Sequence, residues 1–222
     1  MYTVVLEGLD GSGKSTQAKL LAETLRQMNT LTHGMCPVCE LHEPRMLREV
    51  IFATCKQVGE VPYVNDAYIS YLFGMDGYLC RKEEVDLGKT HPFSTIVRDR
   101  DTTMSQYAYH HGMGTPDEMN YVTSWTINQI NCANLILFVD TAIETCLSRI
   151  QARAPEKEVV DYFEKEEKLR RIHTNYMELL NDPQKIDWMG LGKVKIVRVD
   201  GNRDIVAIQN DILRLVLENY PQ

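Results

Sequence analysis

Near the N-terminus, Gly8-Leu9-Asp10-Gly11-Ser12-Gly13-Lys14-Ser15-Thr16 spells the glycine-rich phosphate loop G-x-x-x-x-G-K-[ST]. The chemistry this spacing serves is anion binding by main-chain N–H groups. Gly8, Gly11 and Gly13 allow backbone conformations that a Cβ closes off, so that Ser12 and its neighbours converge on phosphate oxygens at a helix N-terminus. Lys14 then reaches the β- and γ-phosphates, and the Ser15 hydroxyl ligates Mg²⁺. A plain tight turn is the other meaning of such a string, and the flanks decide between them. Thr3-Val4-Val5-Leu6 is suited to a strand buried on both faces, and Ala18, Leu20, Leu21, Leu25 and Met28 recur at helical spacing.

Other stretches are partners for that loop. Arg98-Asp99-Arg100-Asp101 follows an apolar strand at 94–97. Four alternating charges are poor core material and fall where strand C-termini meet a ligand, so Asp99 is expected at the Mg²⁺ shell and Arg100 on a phosphate. Ser105 is the expected N-cap of the next helix. Pro44 holds Glu43 extended at the end of a strand predicted over 35–41, which leaves its carboxylate facing either the crevice or solvent. Arg149 and Arg153 share a helical face and repel unless an anion or acids neutralise them. Phe73, in a helical pattern over 62–85, is either a platform for a base or core. Gly74 and Gly77 in that helix imply that something approaches its face closely. His33-x-x-Cys36-x-x-Cys39-x-x-His42 offers potential zinc ligands, but the spacing is too cramped for a structural site, and thiols with loop histidines are the plainer reading.

The elements that must position these residues alternate, strand then helix, along the 222-residue chain. The expected fold is a P-loop three-layer α/β/α arrangement, a five-stranded parallel sheet covered by helices on both faces. No linker or repeat divides it, so 1–222 is expected to be a single domain with a charged lid segment around 150–165. A net charge of −7 opposes binding to nucleic acid or an anionic membrane, and no apolar run approaches the ~18 residues of a membrane span. With six scattered cysteines and a strand leading straight into the P-loop, the chain reads as cytoplasmic, without a signal peptide.

At this point the sequence resembles the thymidylate kinases, P-loop nucleoside monophosphate kinases, over nearly its full length. Glu7-Gly8-Leu9-Asp10-Gly11-Ser12-Gly13-Lys14-Ser15-Thr16-Gln17 is similar to that family's P-loop, Glu43-Pro44 to its Glu-Pro strand end, and Leu72-Phe73-x-x-Asp76 to its base-stacking helix. Asp99-Arg100 followed by Ser105-x-x-Ala108-Tyr109 is similar to its Asp-Arg signature, and Leu147-Ser148-Arg149-Ile150-x-Ala152-Arg153 to the start of its lid. The resemblance implies phosphoryl transfer from ATP with Mg²⁺ to a deoxyribonucleoside 5′-monophosphate, dTMP first. It implies Asp10 on the acceptor sugar, Phe73 under the base, Arg100 on the acceptor phosphate and Tyr109 disfavouring a 2′-hydroxyl. It also implies Asn202 near adenine and a homodimer. Gly11 stands where one branch of the family has a P-loop arginine, so the catalytic arginine is expected from the lid, as Arg153 with Arg149.

Departures gather on the acceptor side. Gly77 replaces an arginine, Arg45-Met46 replaces glycines, Asp101 replaces an aromatic, and His110 replaces a glutamine. One extra residue also separates Arg100 from Ser105. Arg45 or Arg81 is expected to supply the missing positive charge. These changes keep dUMP or a 5-substituted dUMP open as the acceptor. A deoxynucleoside kinase, with Glu43 or Asp99 as base, and a P-loop switch are the other classes considered. The chain lacks the guanine-reading Asn-Lys-x-Asp that a switch uses.

Overall fold

In the computed structural model the described residues are 1–31, 38–42, 44–62, 64–92, 94–111, 133–153 and 163–220. Five strands form one parallel sheet: β1 (Tyr2–Glu7), β2 (Val38–His42), β3 (Thr95–Asp99), β4 (Leu135–Asp140) and β5 (Lys195–Asp200), in the order β2-β3-β1-β4-β5. The described helices are α1 (Lys14–Leu31), α2 (Arg48–Cys55), α3 (Asp66–Thr90), α4 (Thr102–His110), α5 (Ile143–Arg153), α6 (Glu166–Leu180), α7 (Pro183–Trp188) and α8 (Ile205–Asn219). The expected three-layer α/β/α arrangement is the observed one.

Alternation along the central strands builds the two outer layers. Val4, Leu6, Leu135 and Leu137 pack against Ala18 and Leu21 of α1 and Ile208 and Ile212 of α8. The intervening Val5, Ile136 and Phe138 face Met104 and Ala108 of α4 and Ile172 and Tyr176 of α6. In register, Leu6 and His42 both lie beside Asp99, so the C-terminal ends of β1, β2 and β3 meet at one edge, where parallel sheets present their ligand sites. None of the described helices is long and apolar enough to cross a membrane.

The charged run after β3 corrects one expectation. Arg98, Asp99 and Asp101 are buried, and β3 itself extends through Asp99. Arg98 donates to Glu84 at 2.9 Å and to Asp101 at 2.8 Å, while Arg81 pairs with Glu84 at 3.0 Å. Charges enter this core because each has an opposite partner. Ser105 is not the helix cap either: Asp101 accepts from the N–H groups of Thr103 and Met104, and α4 begins at Thr102. A carboxylate one turn earlier took the cap that the hydroxyl was expected to fill. Helices α2 and α7 had no counterpart in the periodicity reading, and the strand expected over 35–41 is described only from Val38 to His42.

Candidate active site

The loop between β1 and α1 has the glycine geometry its sequence requires. Gly8, Gly11 and Gly13 have φ of +148°, +81° and +96°, and a Cβ on Gly11 would lie 2.5 Å from the Cys146 carbonyl oxygen. Ser12 N–H donates to the Leu9 carbonyl at 3.1 Å, and Lys14 Nζ donates to that same oxygen at 3.1 Å and to Asp10 Oδ1 at 3.3 Å. Residues 11–17, Arg149, Ala152, Arg153, Ile205 and Ile208 line a cleft on the helix side of the loop.

A second cleft opens on the other side of Asp10, lined among others by His42, Arg48, Phe73, Asp99, Arg100, Thr102, Ser105, Tyr109 and His110. Asp10, Lys14, Ser15 and Arg153 belong to both clefts. Asp10 stands at the junction, accepting from Arg100 and, at 3.0 Å, from the Tyr109 hydroxyl. Burial pushes the Asp10 carboxyl up, but Arg100 and then Lys14 more than offset it and hold it well below the usual carboxylate range. Arg100 has φ +88°, a left-handed conformation rare outside glycine, and its guanidinium lies 4.5 Å over the Tyr109 ring.

Glu7 is the supporting residue that the motif reading quoted but gave no role. It is fully buried and accepts from Tyr176 at 2.7 Å, the Asp101 N–H at 2.8 Å, and the Gly8 N–H and Ser105 hydroxyl at 2.9 Å each. Burial raises its pKa, and the Arg100 charge, followed by the bonds from Gly8, Tyr176 and Asp101, opposes the shift. Through them Glu7 fastens the P-loop to the end of β3, to α4 and to α6. A lone acid closing an apolar strand was the available signal.

Asp99 stands beside Ser15 in the cleft wall, and its Oδ2 lies 3.4 Å from His42 Nδ1, while Oδ1 is buried with no hydrogen-bond partner. Burial raises the Asp99 pKa, but His42, Lys14 and Arg100 bring it below the ordinary value. An orphaned anionic oxygen beside a serine hydroxyl fits a hard divalent cation whose remaining ligands come from phosphates and water. His42 is also engaged by Glu40 at 2.9 Å, and His33 and Cys36 lie outside the described residues. Among the described residues no group of three or more His, Cys, Asp or Glu side chains could hold a metal.

The remaining expectations divide. Phe73, Ser105 and Tyr109 line the second cleft together with Arg100. Glu43 and the lid residues 154–162 lie outside the described residues. Arg45 pairs with Glu83 and Arg81 is buried against Glu84, and neither lines the cleft; Arg48, on α2 with its guanidinium 5.0 Å over the Phe52 ring, does. Sequence reading missed Arg48 because its helix was not recognised. Arg149 bonds the carbonyls of Ser12 at 2.9 Å and Gly201 at 3.2 Å, tying α5 to the P-loop. Asn202 accepts from Ala142 N–H at 2.9 Å, just before α5, and Ile205 and Ile208 line the first cleft instead.

A family model described as thymidylate kinase matches residues 6–198. The chain belongs to the thymidylate kinase family. It is 28% identical to a "Probable thymidylate kinase" of Methanococcus maripaludis strain C7, over 98% of this chain and 96% of that one. It is also 25% identical to one of Thermococcus kodakarensis, over 96% of each chain. A "Thymidylate kinase" of Leptospira interrogans is 25% identical over 97% of this chain and 94% of its own. Membership agrees with the phosphate loop that lines the first cleft.

Proposed function

We propose that the protein phosphorylates a deoxyribonucleoside 5′-monophosphate, dTMP first, with ATP as donor, giving ADP and the diphosphate. The observation that carries this is the shared wall. Two clefts meeting at Asp10, Lys14, Ser15 and Arg153 can place two phosphates in line, as transfer between two bound nucleotides needs. The P-loop N–H groups and Lys14 hold the donor phosphates. Arg100, fixed by Asp10 and stacked on Tyr109, receives the acceptor phosphate, and Tyr109 bounds the sugar. Arg153, half exposed and 3.4 Å from Glu164, neutralises charge on the transferring group. Mg²⁺ held by Ser15 and Asp99 would supply charge neutralisation across the donor phosphates. The acceptor phosphate is ionised near neutral pH, so its oxygen attacks without a protein base.

Residues 154–162 belong to the lid in this reading, and Arg149 acts by bracing the loop. The chain works as a homodimer; Tyr68, Met75 and Tyr78, exposed at helical spacing along α3, support a paired face there. A cytosolic location is supported by the free thiols of Cys39, Cys80 and Cys146.

The test is acceptor-dependent ADP release with Mg²⁺·ATP against dTMP, dUMP, 5-hydroxymethyl-dUMP, dCMP, dGMP, dAMP, UMP and thymidine. Turnover on a deoxynucleoside monophosphate is the expected result. Turnover on thymidine alone, or none that depends on acceptor, would sink the proposal.

A further inference from the structure

The second cleft contains an aromatic slot. Phe73 lies with its ring centroid 5.6 Å from that of His110 and 5.8 Å from that of Phe163, and the last two rings meet edge to face at 5.8 Å. His110 is 2% exposed, and its Nδ1 is buried without a hydrogen-bond partner. Burial, with Arg171, Lys168 and Arg100 nearby, pushes its pKa down to about 3, so the ring is uncharged and carries one donor and one acceptor nitrogen. Two other polar side chains of α4 that line the cleft are engaged elsewhere: Ser105 donates to Glu7 at 2.9 Å, and Gln106 donates to the Ser70 carbonyl at 3.0 Å. An unpaired buried nitrogen in the wall of a ligand cleft calls for a partner that arrives with the ligand.

The second observation is steric. A Cβ built on Gly77 would lie 2.1 Å from Thr102 Cγ2 and 2.8 Å from its Oγ1, so no side chain fits at 77 while Thr102 stands there. Thr102 opens α4 and lines the cleft. It belongs to the segment between Arg100 and Ser105 that is one residue longer than the family pattern, and Asp101 beside it is fixed by Arg98 and caps α4. Gly77 and Thr102 therefore form one mechanical unit, with Thr102 seated on the glycine.

Resting on the monophosphate reading of this cleft, we propose that Thr102 and His110 select the acceptor's base. Thr102 is the wall that sets the size of the slot, and His110 offers a hydrogen bond to the base edge above Phe73. A pyrimidine is thus chosen by shape and an uncharged hydrogen bond, without a cation at position 77.

Kinetics of the full chain on dTMP, dUMP and dCMP, with ATP held saturating and then varied, test this. His110→Ala is expected to raise the KM of the preferred acceptor about tenfold, the value of a neutral hydrogen bond. It is expected to compress the kcat/KM ratios among the three bases and to leave the KM for ATP unchanged, while His110→Gln recovers part of the loss. Gly77→Ala is expected to raise the acceptor KM through the clash with Thr102, and Thr102→Gly alone, which removes the wall, is expected to compress the same base ratios; unchanged ratios in that variant would remove Thr102 from the role. If Gly77→Ala does not fold, His110→Ala and Thr102→Gly decide. A wild-type enzyme active on a monophosphate, whose His110→Ala variant keeps its acceptor KM and base ratios, would overturn this inference only. A wild-type chain inactive on every monophosphate would overturn the reading beneath it.

Discussion

Seven consecutive residues, 11–17, supply most of the wall of the first cleft, and they act through main-chain groups closing onto a helix N-terminus. The second cleft draws its wall from α2, α3, the ends of β2 and β3, and α4, and it acts through side chains. A backbone site is constrained by conformation: each of its glycines is held at positive φ, and carbonyls stand where a Cβ would go at Gly8 and Gly11. A side-chain site is constrained only by complementarity, so a change on one element can be met by a change on another. Gly77 and Thr102 are such a pair, separated by the whole of the last half of α3 and strand β3. The ligand chemistry on the first side is therefore fixed by a string, and on the second by a set of contacts.

The sharpest break of this comparison falls at the junction. Arg153 touches both clefts and is half exposed, and its ion pair to Glu164 is long at 3.4 Å, so its charge can follow the transferring group. Arg153→Ala is expected to lower kcat by roughly 10³-fold while the KM for ATP moves by less than about threefold, since the charge matters in the transition state. Steady-state kinetics decide this, and a variant with full kcat would remove Arg153 from the role. On the backbone side, Gly11→Ala combines a left-handed φ with the 2.5 Å approach to Cys146, and a stability loss of about 2 kcal/mol or more is expected, with the ATP KM raised more than about tenfold. A thermal scan with and without ATP checks it; an unchanged Tm would mean that the loop has room to give.

Legibility in the sequence follows the same division. The P-loop, the alternating elements and the parallel sheet could be read because glycine conformation and apolar periodicity are local properties. Arg98 could not: nothing beside it says that Glu84, fourteen positions earlier, turns a buried charge into core material. Asp101 took the helix cap from Ser105 because Arg98 fixes it there. Arg48 was hidden in a helix of eight residues, too short for periodicity to declare. Arg45 and Arg81 were nominated for a charge that their own neighbours, Glu83 and Glu84, already claim.

Two middle-sized effects probe the charges between the clefts. Asp99→Asn removes the anionic oxygen that has no partner while keeping the side chain's shape, and it is expected to raise the Mg²⁺ concentration for half-maximal rate by about 10–100-fold. A metal titration at saturating nucleotide shows it, and an unshifted curve would exclude Asp99 from the cation's shell. His110 gives a pH signature. Its folded pKa is about 3 against an ordinary 6.5, so between those values the unfolded chain binds a proton that the folded chain does not. Stability from this group is present above pH 6.5 and falls as the pH drops toward 3, by about 2 kcal/mol between pH 6.5 and 5. Urea midpoints at pH 7.5 and 5 are expected to differ less in His110→Gln than in the wild type; equal differences would place the acid sensitivity elsewhere.

The smallest effect tests which arginine serves the acceptor side. Arg48 lines the cleft with its guanidinium over the Phe52 ring, which leaves its N–H edge available to an anion or a base oxygen. Arg45 is only three residues away, but its backbone N–H is held by Asp76 and its guanidinium pairs with Glu83 outside the cleft lining. Arg48→Ala is expected to raise the acceptor KM about tenfold with kcat little changed, the cost of one charge-assisted contact made equally in ground and transition states. Arg45→Ala is expected to change the acceptor KM by less than about twofold, because an exposed ion pair of this kind contributes little. The reverse order would mean that the acceptor draws Arg45 away from Glu83 on binding, and the side-chain cleft would then be one that its ligand completes.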